Sequence, residues 1–180
     1  RRRRHRKAAR LPDLRQGAAG VHARGQVAHF DLSKSLPEKT IIAAANYHLP
    51  PNKISMLACK KVDLNFHARF SAKGKIYEYT ILNRMPPPTL DRDHAWYVRP
   101  KLNIAAMKAA ANLIEGRHDF IGLQTSECQA KSTVKTIDSI TITKKGDKII
   151  IKISAPSFIH KMVRNIVGVL KMVGAGRWSE

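Results

Sequence analysis

The sequence predicts an α+β fold, an antiparallel sheet covered by helices on one face. Three observations carry this expectation. Lys75–Leu82, KIYEYTIL, alternates cleanly in the manner of a strand. Val134–Thr143 and Lys148–Ser154 flank a Lys144-Lys145-Gly146-Asp147 turn, the pattern of a hairpin. Leu102–Glu115 and Phe158–Val173 repeat apolar residues at helical spacing. A chain of 180 residues can bury one good core, or two small ones sharing a cleft. Its 43% hydrophobic content is ordinary for a globular protein.

In chain order, Gly20 and Gly25 sit in a turn-rich lead-in, and Gln26–Leu32 alternates as a half-buried strand. Ser33–His48 reads as a helix: Ser35 can cap it, Pro37 suits its first turn and Glu38 favours its positive end. Ile41, Ile42, Ala45 and Leu49 share one face, and Leu49-Pro50-Pro51 stops the helix. Ile54–Val62 is apolar and bounded by charge, as a strand is, and Asp63–Ser71 is a loop. After Lys75–Leu82, Met85-Pro86-Pro87-Pro88 is a rigid extended break. His94–Val98 is a short strand. In the helix Leu102–Glu115, Ile104, Met107, Ala111 and Ile114 recur, and Gly116 closes it before a loop at Asp119-Phe120. The helix Phe158–Val173 turns Ile159, Met162, Val163, Ile166 and Leu170 inward and ends at Gly174-Ala175-Gly176. There is no internal repeat and no clear linker.

The formal charge of +20 points to a polyanionic partner, above all nucleic acid. The plainer alternative is a soluble protein with a basic tail. The apolar runs are too short to cross a bilayer. Cys59 and Cys128 lie far apart with no partner at metal spacing, so neither a zinc site nor a disulfide framework is expected, and a reducing cytoplasm is the simplest compartment. Nine basic residues and one acid, Asp13, fall within Arg1–Arg24. Such a run cannot bury itself and is expected to be disordered or phosphate-bound, as a nucleic-acid arm or import signal. Another reading makes residues 1–18 non-native, the product of a shifted reading frame: arginine dominates up to Arg24, lysine and isoleucine after Ser33.

Ala19–Ala23 with Gly25–Val27, His67–Ala72 with Lys75–Tyr79, and Phe158–Asn165 together resemble the motifs of the tRNA pseudouridine synthase A family. Ala19-Gly20-Val21-His22-Ala23, then Gly25-Gln26-Val27, is similar to the family's first motif. His67-Ala68-Arg69-Phe70-Ser71-Ala72 with Lys75-Ile76-Tyr77-Glu78-Tyr79 resembles its second, and Phe158-Ile159-His160-Lys161-Met162-Val163-Arg164-Asn165 its third. Asn46-Tyr47-His48-Leu49-Pro50 and the helix-to-loop corner Gly116-Arg117-His118-Asp119-Phe120 also match. The resemblance covers Ala19 to about Gly176. It implies the pseudouridine synthase fold with a central cleft, here a partial catalytic domain over 19–180 made of two ferredoxin-like halves, each incomplete at its outer end.

The resemblance also implies a chemistry. The family breaks the N-glycosidic bond of a uridine in the tRNA anticodon stem-loop, rotates the base and rejoins it through carbon, with no cofactor and no metal. One aspartate supplies the carboxylate. Ala18 occupies that position, where Gly-Arg-Thr-Asp is replaced by Arg15, Gln16, Gly17 and Ala18. By the same resemblance Tyr77 stacks on the flipped uracil, and Arg164 pairs with the aspartate and keeps it ionised. Gln16 stands where an arginine enters the RNA, and His22 and Arg69 join the substrate-binding set. For Tyr77 the alternative is one of two strand tyrosines, Tyr77 and Tyr79, facing opposite sides, one of them core. For Arg164 it is a helix arginine turned outward, although the apolar Met162-Val163 before it favours a buried partner. His22, His67 and His160 suit hydrogen bonding in loops or phosphate contact. Lys73, Lys75, Arg117, Lys131, Lys135 and Lys161 are candidates for phosphate contacts.

Three readings follow: a tRNA pseudouridine synthase acting as a homodimer, an RNA-binding protein of the same fold with its nucleophile lost, or a damaged product that does not fold stably. Ala18 speaks against turnover by this chain, since alanine offers neither nucleophile nor base.

Overall fold

A computed structural model of the protein describes residues 21–50, 54–90, 92–123 and 132–179. Residues 1–18, with Gln16 and Ala18, lie outside the described residues, as do Cys128 and Lys131. The chain divides into two compact units, Arg1–Ser71 and Ala72–Glu180.

In the first unit the helix is α1, Glu38–His48. It begins later than the spacing suggests. Pro37 is its N-cap, at φ −58° and ψ 140°, and no side chain caps it, so Ser35 does not serve. The ring of Pro37 disfavours helical backbone in the residue before it, which moves the start to Glu38. Leu49, in extended conformation before Pro50, ends it as expected. Gln26–Leu32 and Ile54–Val62 form no strands. Alternation supplies a face but not a partner, and a strand exists only when its backbone groups pair with another. Asn46 organises the second stretch instead: its Nδ2 donates to the Met56 carbonyl at 3.0 Å and its Oδ1 accepts the Met56 N–H at 2.7 Å.

The second unit holds a four-stranded sheet in the order β2-β1-β6-β5, with β1 Lys75–Leu82, β2 Trp96–Tyr97, β5 Ser139–Lys145 and β6 Lys148–Ala155. β1 and β5 both run antiparallel to β6, but β2 runs parallel to β1, so the sheet is mixed rather than purely antiparallel. A parallel neighbour needs a crossover, and the proline-rich stretch after β1 provides it. Asn83 holds that crossover in place: Nδ2 donates to the carbonyls of Val98 and Pro100, and Oδ1 accepts the Leu102 N–H at 3.1 Å. The expected strand Val134–Thr143 is broken at Asp138. Its first part, β4 Val134–Ile137, pairs with β3 Gly116–Asp119 in a second, two-stranded sheet. Gly116-Arg117-His118-Asp119 is therefore a strand, not a loop corner. The β5–β6 hairpin turns on Gly146 at φ +57°, a backbone that a side chain rarely adopts.

Helices α2, Ile104–Ile114, and α3, Met162–Gly174, complete the unit. Asn103 caps α2 by accepting the N–H groups of Ala105 and Ala106. α3 starts at Met162, not Phe158, because Lys161 takes the left-handed backbone at φ 59° and breaks the turn before it. The core joins one face of β6, formed by Ile149, Ile151, Ile153 and Ala155, to Met107 and Ala111 of α2 and to Met162, Ile166, Val167 and Leu170 of α3. Gly174 lets the two helices meet. A Cβ there would lie 2.7 Å from Met107 Cγ. No helix among the described residues is long and apolar enough to cross a membrane.

Candidate functional site

The sheet register fixes where Tyr77 stands. Tyr77, Tyr79 and Ile81 lie opposite Ile153, Ile151 and Ile149. Directly paired side chains share a face, so all three belong to the face that carries the core. Tyr77 and Tyr79 thus point to the same side, contrary to the expectation of opposite sides, because residues two apart on a strand share a face. What separates them is position along the strand. Ile81 is buried, Tyr79 is half-buried against Trp96, and Tyr77 is 37% exposed, at the open end of the core face.

Phe158 closes one side of Tyr77. Their rings meet edge to face, with centroids 5.1 Å apart and planes at 86°. This geometry suits the aromatic quadrupole and holds the Tyr77 ring in one orientation. The sequence places Phe158 in the helix and does not pair it with Tyr77; only the register of β1 on β6 brings the two together. From Phe158 the chain runs through Ile159, 4% exposed, into the left-handed Lys161 and then the first turn of α3. Ile159 and Met162 anchor this segment in the core.

Arg164 sits in that first turn and is exposed. The helical period explains this: Met162 and Ile166 face the core and Arg164 falls between them. Electrostatically the turn is unusual. It contains no acid, Lys161 caps it without a side-chain hydrogen bond, and it presents Arg164 at the positive end of the helix dipole. Among the described residues no ion pair joins Arg164 to a carboxylate. A cationic side chain at a helix N-terminus is suited to an anion, carboxylate or phosphate.

His22 and Arg69 belong to the first unit, and both are exposed. The Arg69 guanidinium lies 5.8 Å from the centre of the Phe70 ring, and its backbone N–H donates to His67 Nδ1 at 3.2 Å. His67 thus organises the loop from within. Its ring also meets that of His29 at a tilt of 51°, with centroids 4.4 Å apart, while His29 Nδ1 accepts the Ala68 N–H. The sequence alone does not single out His29, because no spacing rule links it to a residue so far along the chain. Among the described residues no three His, Cys, Asp or Glu side chains gather as metal ligands.

Comparison with known proteins gives this arrangement a context. Residues 110–180 match the sequence model of a family described as tRNA pseudouridine synthase. Over 161 residues the chain is 49% identical to tRNA pseudouridine synthase A of Paramagnetospirillum magneticum, an alignment covering 89% of this chain and 63% of the relative. It is 47% identical, again over 161 residues, to tRNA pseudouridine synthase A of Rhodospirillum rubrum, covering 89% of this chain and 58% of that protein. The chain therefore spans about three fifths of the length of these curated relatives.

Proposed function

Because the chain belongs to the tRNA pseudouridine synthase family, we propose that it is a synthase scaffold that binds a uridine of the tRNA anticodon stem-loop and, as written, does not isomerise it. The observation that carries this reading is Tyr77. It is a partly exposed ring on β1, held edge-on by Phe158, the residue that opens the segment running into the acid-free, cationic first turn of α3. A flat ring can hold a uracil while it turns, since stacking needs no fixed hydrogen-bond register. Arg164 is positioned to hold an anion, and in this reading the natural anion is a carboxylate at position 18, oriented and kept ionised by the guanidinium. Ala18 cannot supply it. The base can be bound, but nothing at that position can attack the base or the sugar. The same reading places the protein in the cytoplasm, as a homodimer, with no cofactor.

A second reading, a product of low stability, draws on α1, which has no buried residue among those described. One comparison separates them. The chain and its Ala18→Asp variant are assayed for tritium release from uracil-labelled tRNA, with binding and thermal unfolding measured beside it. The expected result is binding without release by the parent and release by the variant. Release by the parent overturns the assigned silence of Ala18. Absence of a cooperative unfolding transition in both selects the second reading.

A further inference from the structure

A cleft of about 260 Å³ lies between the β3–β4 sheet and the turn that follows β6, whose Ser157 adjoins Phe158, the ring packed on Tyr77. Its lining is Arg117, Ser132, Val134, Lys135, Thr136 and Pro156-Ser157. Arg117 and Thr136 are directly opposite in the ladder and so share a face, which Val134 joins two residues away. Lys135 leaves from the other pleat, opposite His118, which makes Arg117 the principal cation. His118 is committed elsewhere, its Nε2 hydrogen-bonded to the Glu115 carbonyl at 2.8 Å.

The donor chemistry is one-sided. Arg117 and three hydroxyl-bearing residues, Ser132, Thr136 and Ser157, line the cleft, and no Asp or Glu does. Ser132 Oγ accepts the Val134 N–H, which leaves its own hydrogen to donate. The nearest acid along the strand, Asp119, accepts the Ile121 N–H through Oδ1, and no ion pair joins it to Arg117 among the described residues. Such a set repels cations and offers an apolar ligand little; it matches the oxygens of a phosphate, which an arginine fork grips with two parallel bonds. Arg117, Ser132, Thr136, Pro156 and Ser157 are all exposed, so a polymer can pass through. Ser157 immediately precedes Phe158, the ring that holds Tyr77.

We propose that this cleft is a phosphodiester subsite, gripping the RNA backbone next to the nucleotide whose base lies on Tyr77. The inference rests on the RNA-binding reading above and assigns it a second contact point. Its test is the salt dependence of binding to a fluorescent tRNA transcript, measured for the full chain and for Arg117→Gln, Arg117→Lys and Lys108→Gln. Lys108 is an exposed cation on α2, outside the cleft. Arg117→Gln is expected to weaken binding by about tenfold and to reduce the log–log salt slope by about 0.7–0.9. Arg117→Lys keeps the slope but not the full affinity, and Lys108→Gln changes neither. Unfolding curves that superpose with the parent show the variants folded. An unchanged slope for Arg117→Gln, or an equal loss for Lys108→Gln, overturns the subsite while leaving RNA binding intact. Absence of tRNA binding by the parent overturns the RNA reading itself.

Discussion

Tyr77 and Phe158 meet at right angles, 5.1 Å between ring centres, although 81 positions separate them in the chain. The contact exists because β1 lies antiparallel to β6, which sets Tyr77 opposite Ile153 and returns the chain past it five residues later. It joins the last turn of the core to the first partly exposed ring beyond it.

If that ring is a base platform, removing it affects binding more than folding. Tyr77→Ala is expected to weaken tRNA binding by about 1–3 kcal/mol, while the lost aromatic pair lowers stability by about 0.5–1.5 kcal/mol. Tyr77→Phe retains the stacking surface and is expected to stay near the parent in both. Titration against labelled tRNA, with urea unfolding in parallel, measures the two effects. A stability loss with unchanged binding assigns Tyr77 to the core alone.

Arg164 sets function against stability. Its charge stands at the positive end of α3 in a turn without an acid, so replacing it removes a repulsion. Arg164→Gln is expected to raise unfolding stability by about 0.3–1 kcal/mol at low salt, with the gain fading as salt screens it. In the Ala18→Asp background the proposed function expects the same change to lower tritium release. Urea melts at low and high salt read the first effect. A loss of stability instead reveals an anion already held there.

The crossing of α2 and α3 depends on a missing side chain. At position 174 a Cβ would lie 2.7 Å from Cγ and 2.8 Å from Sδ of Met107, which is fully buried. Gly174→Ala gains about 1 kcal/mol in helix propensity, but overpacking costs about 1–3 kcal/mol, and net destabilisation is expected. Adding Met107→Ala relieves the clash, so the double variant is expected to lose less than the two single losses combined. Thermal unfolding of the three variants reads the coupling.

The second unit was far more legible than the first. Its strands and helices bury continuous faces, such as Ile149, Ile151 and Ile153, or Met162, Ile166 and Leu170, and a buried face imposes its period on the residues that form it. Boundaries were less legible wherever backbone geometry overrode the period. Lys161 in left-handed conformation delays α3, Pro37 delays α1, and Asp138 divides one expected strand between two sheets. In the first unit, alternation along Gln26–Leu32 named a face without a partner, and no strand formed.

The site divides in the same way. Residue types and their local order singled out Tyr77 and Arg164, because motif chemistry is written in neighbouring residues. Folding alone brought Phe158 against Tyr77, put both strand tyrosines on one face, left Arg164 in solvent and set Arg117 across from Thr136. Those relations depend on strand register and on the angle at which a helix leaves a turn. Both are settled by packing between segments far apart in the chain, which no short window of residues contains.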